Sequence, residues 1–248
     1  MECMEKGIII TGANRGIGKG VLEHFSRRGY RVWACARSID DSFLSEIEQL
    51  KEDTKMEIIP IEFDLRDEMS VKKGMHEILS SQKDIDVLVN NAGVPHAGTL
   101  MTTSMSAMKE VYQINVLAQM QIMQLVSRKM IRQKKGCIIN MCSVGGIEAM
   151  PGYMAYGSSK AALSWITKAA ARELGTYGVR VNGLAPGLID TNMGHYKSED
   201  EVSKVLNRMS IKRMGTVDEV VKAIQYIAED ATYMTGQIMV LDGGRINV

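Results

Sequence analysis

Apolar residues in this chain fall into short unbroken runs, separated by longer stretches in which they recur every three or four positions. The runs are "GIIIT" (7–11), "RVWACA" (31–36), "EIIPIEF" (57–63), "DVLVN" (86–90), "CIINMC" (137–142), "RVNGLAP" (180–186) and "QIMVLD" (237–242). Several lack the in–out alternation of a half-solvated strand, which predicts strands covered on both faces of a parallel sheet. Helical spacing predicts helices near 16–28, 41–52, 68–81, 104–134, 156–175 and 217–228. Strands alternating with helices imply an α/β fold with a doubly wound, mostly parallel sheet of about seven strands and helices on both faces. Residues 1–248 contain no linker, repeat or low-complexity stretch, so one domain is expected. The polar segment 188–216 is long for a connection, and fits either a substrate-side lid or a surface insertion.

Composition narrows the partners. The 248 residues are 45% hydrophobic with a net charge of +1, enough chain for one sizeable core. Near-neutrality argues against a nucleic-acid or polybasic membrane-surface binder. The opening "MECMEKGIIITG" enters a strand pattern within seven residues, leaving no room for a signal peptide. No apolar run is long enough to span a bilayer. Cys3, Cys35, Cys137 and Cys142 show neither CxxC spacing nor pairing with histidines. They read as reduced thiols of a cytoplasmic protein with no metal site.

The first strand runs into "TGANRGIG", which contains Gly12, Asn14, Arg15, Gly16, Ile17 and Gly18. A dinucleotide site needs glycine for the tight turn, for close phosphate approach and for helix–strand packing, with the phosphates at the helix N-terminus. A glycine-tolerant helix start is the alternative, but the position, strand before and helix after, favours the binding turn. The second strand ends Cys35-Ala36-Arg37-Ser38, without the acid that would hold a ribose 2′-hydroxyl. Arg37, with Arg15, suits the extra phosphate of NADP; a solvated strand-end arginine is the other reading. Further on, "YGSSK" places Tyr156 and Lys160 four apart, on one helical face. A nearby ammonium favours a phenolate, so this pair suits a proton donor of lowered pKa, although the spacing also arises by chance.

"TGANRGIG" and "YGSSK" occur in order with "DVLVNNAG" (86–93), "INV" around Asn115, "NMCSVGG" with Ser143 and "APGLIDT" (185–191). With these six motifs the chain resembles the short-chain dehydrogenase/reductase family over essentially its whole length. Within it, the chain is most similar to bacterial 3-oxoacyl-[acyl-carrier-protein] reductases, through "RGIG", "RMG" (213–215) and "YMTGQIMVLDGG" (233–244). The resemblance implies a single NAD(P)-binding Rossmann domain and a catalytic set of Asn115, Ser143, Tyr156 and Lys160. Ser143 would hydrogen-bond the substrate carbonyl, Tyr156 would donate the proton, Lys160 would tune it and reach the cofactor ribose, and Asn115 would hold a water. The glycine turn would take the phosphates and Arg37 and Ser38 the 2′ position. Asp64 and Leu65 would lie at the adenine, Asn91, Ala92 and Gly93 along the riboses, and Pro186, Gly187, Ile189 and Thr191 at the nicotinamide. Asp64 also reads as the N-cap of the helix after it.

The implied cofactor is NADP(H), with NAD(H) open. The implied reaction is reduction of a 3-oxoacyl thioester, linked to acyl carrier protein or CoA, with a place in fatty-acid synthesis. An alcohol dehydrogenase for a steroid, sugar or other hydroxyl is the alternative. A non-catalytic dinucleotide-binding regulator is a third reading, disfavoured by the intact catalytic set. Met150, Met154 and Met193 would line the substrate pocket with Ser143 and Tyr156, methionine being suited to irregular apolar space. Glu148 reads either as facing substrate or as a solvated loop carboxylate. The basic cluster Arg128, Lys129, Arg132, Lys134 and Lys135 reads as a carrier-protein docking patch or as cations at a helix C-terminus. Tyr177 stands where such reductases often carry a basic residue. A homotetramer is implied.

Overall fold

In the computed structural model, which describes residues 6–191, 193 and 199–246, every expected strand forms. They are β1 (Gly7–Thr11), β2 (Arg31–Ala36), β3 (Ile58–Glu62), β4 (Val87–Asn90), β5 (Gly136–Met141), β6 (Val179–Pro186) and β7 (Ile238–Leu241). They make a single sheet, ordered β3-β2-β1-β4-β5-β6-β7, and every pairing is parallel. The central strands β1, β2 and β4 are buried along their whole length, whereas the edge strands β3 and β7 are only partly covered. Pro60 lies on edge strand β3, where a sheet tolerates a residue with no N–H.

Among the described residues, eight α-helices flank the sheet: α1 (Gly16–Arg27), α2 (Asp41–Thr54), α3 (Glu68–Ser80), α4 (Met105–Tyr112), α5 (Ala118–Gln133), α6 (Met154–Leu174), α7 (Glu199–Asn207) and α8 (Val217–Gln225). Alternate residues of β1 serve opposite cores, which explains the unbroken apolar runs. Ile8 and Ile10 pack with Val21, Phe25, Val220 and Ile224 of α1 and α8. Ile9 packs with Val71, Met75, Ile122 and Val126 of α3 and α5. The strand order reverses between β1 and β4, successive strands being added on one side of β1 and then on the other, and in open α/β sheets the crevice at that switch point, outside the strand C-termini, is where ligands bind.

Three expectations change. The helix expected over 104–134 is interrupted by a π-turn at Gln113–Leu117, whose extra residue per turn re-aims Asn115. The helix expected to 228 ends at Gln225 and passes into a second π-turn, Tyr226–Asp230. The segment 188–216, read without a helix, contains α7; Val205 and Met209 are buried there against Leu188. Its spacing of Val202, Val205, Leu206 and Met209 is amphipathic and was available in the sequence. Cys35, Cys137 and Cys142 are buried free thiols; Cys3 lies outside the described residues. Among the described residues, no helix is long and apolar enough to cross a membrane.

Candidate active site

The glycine turn leaves β1 at Thr11 and enters α1 at Gly16. Gly12 and Gly16 hold φ of +68° and +54°, the left-handed region that glycine enters without penalty. Gly18 is required for a different reason: a Cβ there would stand 1.9 Å from the Gly12 carbonyl oxygen. α1 therefore starts hard against the turn. Its N-cap, Arg15, makes no side-chain cap and its first turn holds no acid, so free N–H groups and the positive helix end face the crevice. Asn14 is half-buried in the same turn and Ile17 leans on the core. Arg15, Arg37 and Ser38 are exposed, and neither arginine is paired among the described residues. A left-handed turn, an uncapped helix start and two free guanidinium groups fit an anionic dinucleotide.

Beside the turn, the loop after β4 is clamped from three sides. Thr11 Oγ1 accepts from the backbone N–H groups of Asn91 and Ala92, each at 2.9 Å. Asn91 Nδ2 donates to the Thr11 carbonyl at 2.9 Å, and Gln119 Nε2 donates to the Ala92 carbonyl at 2.8 Å. Asn115, fully buried on the π-turn, accepts from Val94 N at 2.9 Å and donates to the Val94 carbonyl at 3.0 Å and Ser159 Oγ at 3.1 Å. Its amide is thus engaged in holding the loop. Thr11 and Gln119 escaped sequence reasoning, because a strand-end threonine and a helical glutamine carry no local mark of a distant loop.

The chemistry sits where β5 meets α6. Ser143 Oγ accepts from Gly145 N at 3.1 Å, which leaves its own proton free to donate. Gly145, Gly146 and Gly157 let α6 press onto this turn: a Cβ on Gly146 would lie 2.6 Å from the Lys160 carbonyl carbon, and one on Gly157 2.6 Å from the Gly145 oxygen. That close packing brings Tyr156 and Lys160 to Ser143. Lys160 is 5% exposed, and its Nζ donates to the Met141 carbonyl at 2.7 Å. A Cβ on Gly93 would lie 3.4 Å from Lys160 Nζ and 3.1 Å from Asn115 Oδ1. The four expected catalytic residues are therefore brought together.

Their electrostatics differ from the expectation. Burial holds Tyr156 above the usual phenol pKa, with Ser143 the largest opposing influence. Burial also pulls Lys160 down to about 8, and its Nζ lies 5.9 Å from the tyrosine ring centre. Desolvation penalises phenolate and ammonium alike, so the structure keeps the tyrosine protonated instead of acidifying it.

The remaining residues divide. Pro186 ends β6, and Gly187 N donates to the Leu241 carbonyl at 2.9 Å. Ile189 bridges to Gly215, and Thr191 reaches the glycine turn, 3.7 Å from where a Gly16 Cβ would be. Asp64 Oδ1 accepts from Arg66 N at 2.9 Å, and it is not the cap of α3. That cap is Asp67, three residues on, which accepts from Met69 N. Leu65 is buried, and its carbonyl accepts from Gln113. Met150 and Met154 line a groove of about 520 Å³ with Ile147, Glu148 and Tyr153; Met193 is exposed outside it. Glu148 is no solvated loop carboxylate: it is three-quarters buried and paired with Arg208 at 2.6 Å and Arg245 at 3.5 Å. The basic cluster lies at the opposite end of the sheet, before β5, with Lys135 paired to Asp84 and Asp86. Among the described residues, no three His, Cys, Asp or Glu side chains gather as a metal site.

A glycine turn at the switch point of a parallel sheet, facing a Ser–Tyr–Lys constellation, defines a Rossmann-fold oxidoreductase that uses a nicotinamide dinucleotide. The short chain dehydrogenase family model matches residues 6–202, and the chain belongs to that family. Among curated relatives, 3-oxoacyl-[acyl-carrier-protein] reductase FabG of Staphylococcus epidermidis is 33% identical, over 97% of this chain and 99% of that protein. L-xylulose reductase of Caenorhabditis elegans is 35% identical, over 98% and 96%. Among solved structures, 4-hydroxyisoleucine dehydrogenase complexed with NADH matches with a TM-score of 0.88 and 28% identity, over 97% and 98% of the two chains. ElxO with NADP bound matches with a TM-score of 0.88 and 30% identity, over 98% and 99%.

Proposed function

We propose that this chain is a cytoplasmic NADP(H)-preferring reductase of a ketone, in the class of 3-oxoacyl thioesters. The observation that carries the reading is the convergence of Ser143, Tyr156, Lys160 and Asn115 beside the dinucleotide turn. When bound, the reduced nicotinamide supplies the hydride. Ser143, accepting from the Gly145 N–H, donates its own hydrogen bond to the ketone oxygen as negative charge grows there. Tyr156 gives that oxygen its proton. A phenol kept neutral by burial is in the correct state for a donor in the reducing direction. Lys160, pulled to about 8, exchanges protons near neutral pH and is placed to restore the tyrosine's. Arg37, unpaired among the described residues and at a strand end with no acid beside it in sequence, supports NADP(H).

The test is NADPH consumption by purified protein with acetoacetyl thioesters and a panel of simple ketones. Bound cofactor with no turnover on any of them would replace this reading with the regulator. The xylulose reductase, as similar as the carrier-protein reductases, supports a sugar ketone as second reading, and the same panel decides it. The segment 188–216 acts as the lid in this proposal, supported by Arg208, one of its described residues, which pairs with Glu148 in the loop after β5. Leu117, Met120 and Trp165 are 54%, 40% and 73% exposed on the α4–α5 and α6 side. These apolar surfaces support pairing of copies through those helices within a homotetramer. A concentration-independent monomer in light scattering would refute that assembly.

A further inference from the structure

Arg245 is the buried charge that this mechanism leaves unexplained. It lies in the turn after β7, and that turn is built to hold it still. Asp242 accepts from Gly244 N at 2.9 Å and from Ile246 N at 2.8 Å, while Ile211 N donates to the Gly243 carbonyl at 2.8 Å. The Arg245 side chain is only 5% exposed. Among the described residues its sole side-chain hydrogen bond goes to the thioether sulfur of Met150, a weak acceptor, and its Nε stands 3.5 Å from Glu148 Oε2. Glu148 commits its other oxygen to Arg208 at 2.6 Å, and Oε2 is left buried without a hydrogen bond. Two guanidinium groups share one carboxylate, and the better contact belongs to the exposed Arg208.

A purely structural pair would be a bidentate fork with short hydrogen bonds, because a buried charge is costly unless its hydrogen bonds are satisfied. Arg245 instead presents a fork of donors that makes no hydrogen bond to any oxygen of the described residues, Glu148 Oε2 at 3.5 Å included. Glu148 and Met150, its two contacts, both line the groove, whose wall also takes in Tyr153 and Gly157, the residue after Tyr156. The Arg245 charge also reaches Tyr156, where it favours the phenolate.

We propose that Arg245 is a specificity-determining residue that binds a carboxylate carried by the ketone substrate, with Glu148 as its internal stand-in. The inference rests on the ketone-reductase reading and narrows it to oxo acids, or oxoacyl thioesters whose chain ends in a carboxylate. A planar monoanion matches the guanidinium fork. A dianionic phosphate fits less well, because the Glu148 carboxyl group already stands 3.5 Å from Arg245.

The experiment compares two N-acetylcysteamine thioesters of 3-oxoadipic acid, one with the free terminal carboxylate and one with its methyl ester, using NADPH. The parent should prefer the acid roughly ten- to hundredfold in kcat/KM, mainly through KM. Arg245→Met should abolish or invert that ratio, Arg245→Lys should keep part of it, and Glu148→Gln should lower KM for the acid by removing its competitor. A merely structural Arg245 would lower both substrates together and leave the ratio intact. Equal use of acid and ester by the parent, or an unchanged ratio in Arg245→Met, overturns the proposal. Should Arg245→Met not fold, the Lys and Gln variants decide the question in its place. If neither thioester is reduced, the thioester reading fails, and adipate titrated against thermal stability with NADPH present decides for Arg245. A saturable stabilisation of the parent that is lost in the variants supports it; no stabilisation overturns it.

Discussion

Replacing Gly18 by alanine tests how the dinucleotide turn is built. The added Cβ would sit 1.9 Å from the Gly12 oxygen, and 2.7 Å from both the Gly12 carbonyl carbon and Asn91 Nδ2. Ordinary contact begins at 3.4 Å, so relief requires about 1.5 Å of movement (3.4 − 1.9). Gly12 cannot supply it, being fixed at φ +68° with Ala92 against it. The start of α1 must move instead, away from the crevice. Overpacking of this kind costs about 1–3 kcal/mol, which lowers Tm by roughly 3–10 °C for a chain of this size. The N–H groups of the first turn move with the helix, and each charge-assisted bond they lose weakens NADPH binding roughly ten- to hundredfold. Nicotinamide fluorescence titration reads the affinity and differential scanning fluorimetry the stability. Gly175→Ala is the control, since a Cβ there meets nothing within 4 Å at an ordinary φ. If Gly18→Ala bound NADPH within about twofold of the parent, the claim that backbone contact sets this turn would be wrong.

Three further outcomes are expected. Tyr156→Phe should bind cofactor normally and lose about 10²–10⁴-fold in turnover; a loss of only a few-fold in single-turnover reduction would remove Tyr156 as proton donor. Arg37→Asp should weaken NADPH by roughly ten- to more than a hundredfold and improve NADH, and indifference in cofactor titrations would show that no 2′-phosphate is bound there. Lys160 has a folded pKa of about 8 against an ordinary 10.5, so between those values the folded protein binds fewer protons than the unfolded chain. Stability therefore rises with pH across that window and is constant below it. In urea titrations the stability difference between the parent and Lys160→Met should shift towards the parent by about 3 kcal/mol from pH 8 to 10.5, and a flat difference would mean the ammonium is not desolvated.

Much of this protein was legible in single stretches of chain. The apolar runs mark strands covered on both sides because Ile8, Ile9 and Ile10 must each reach a core. Gly12, Gly16 and Gly18 announce a turn because only glycine meets steric demands of that kind. Tyr156 and Lys160 share a face because helical periodicity puts them there. These are short-range properties, written wherever the residues are. The π-turn that presents Asn115 is not, since the Asn115 side chain it aims bonds to the distant Val94 and Ser159. Nor is the state of the catalytic pair: spacing suggested an acidified phenol, whereas packing desolvates both groups and raises Tyr156 while lowering Lys160. Arg245 reaches Met150 across 95 residues of sequence and Glu148 meets Arg208 across 60. Which charges become neighbours, and how much water they lose, depends on how the whole chain closes on itself, so only the tertiary structure could decide it.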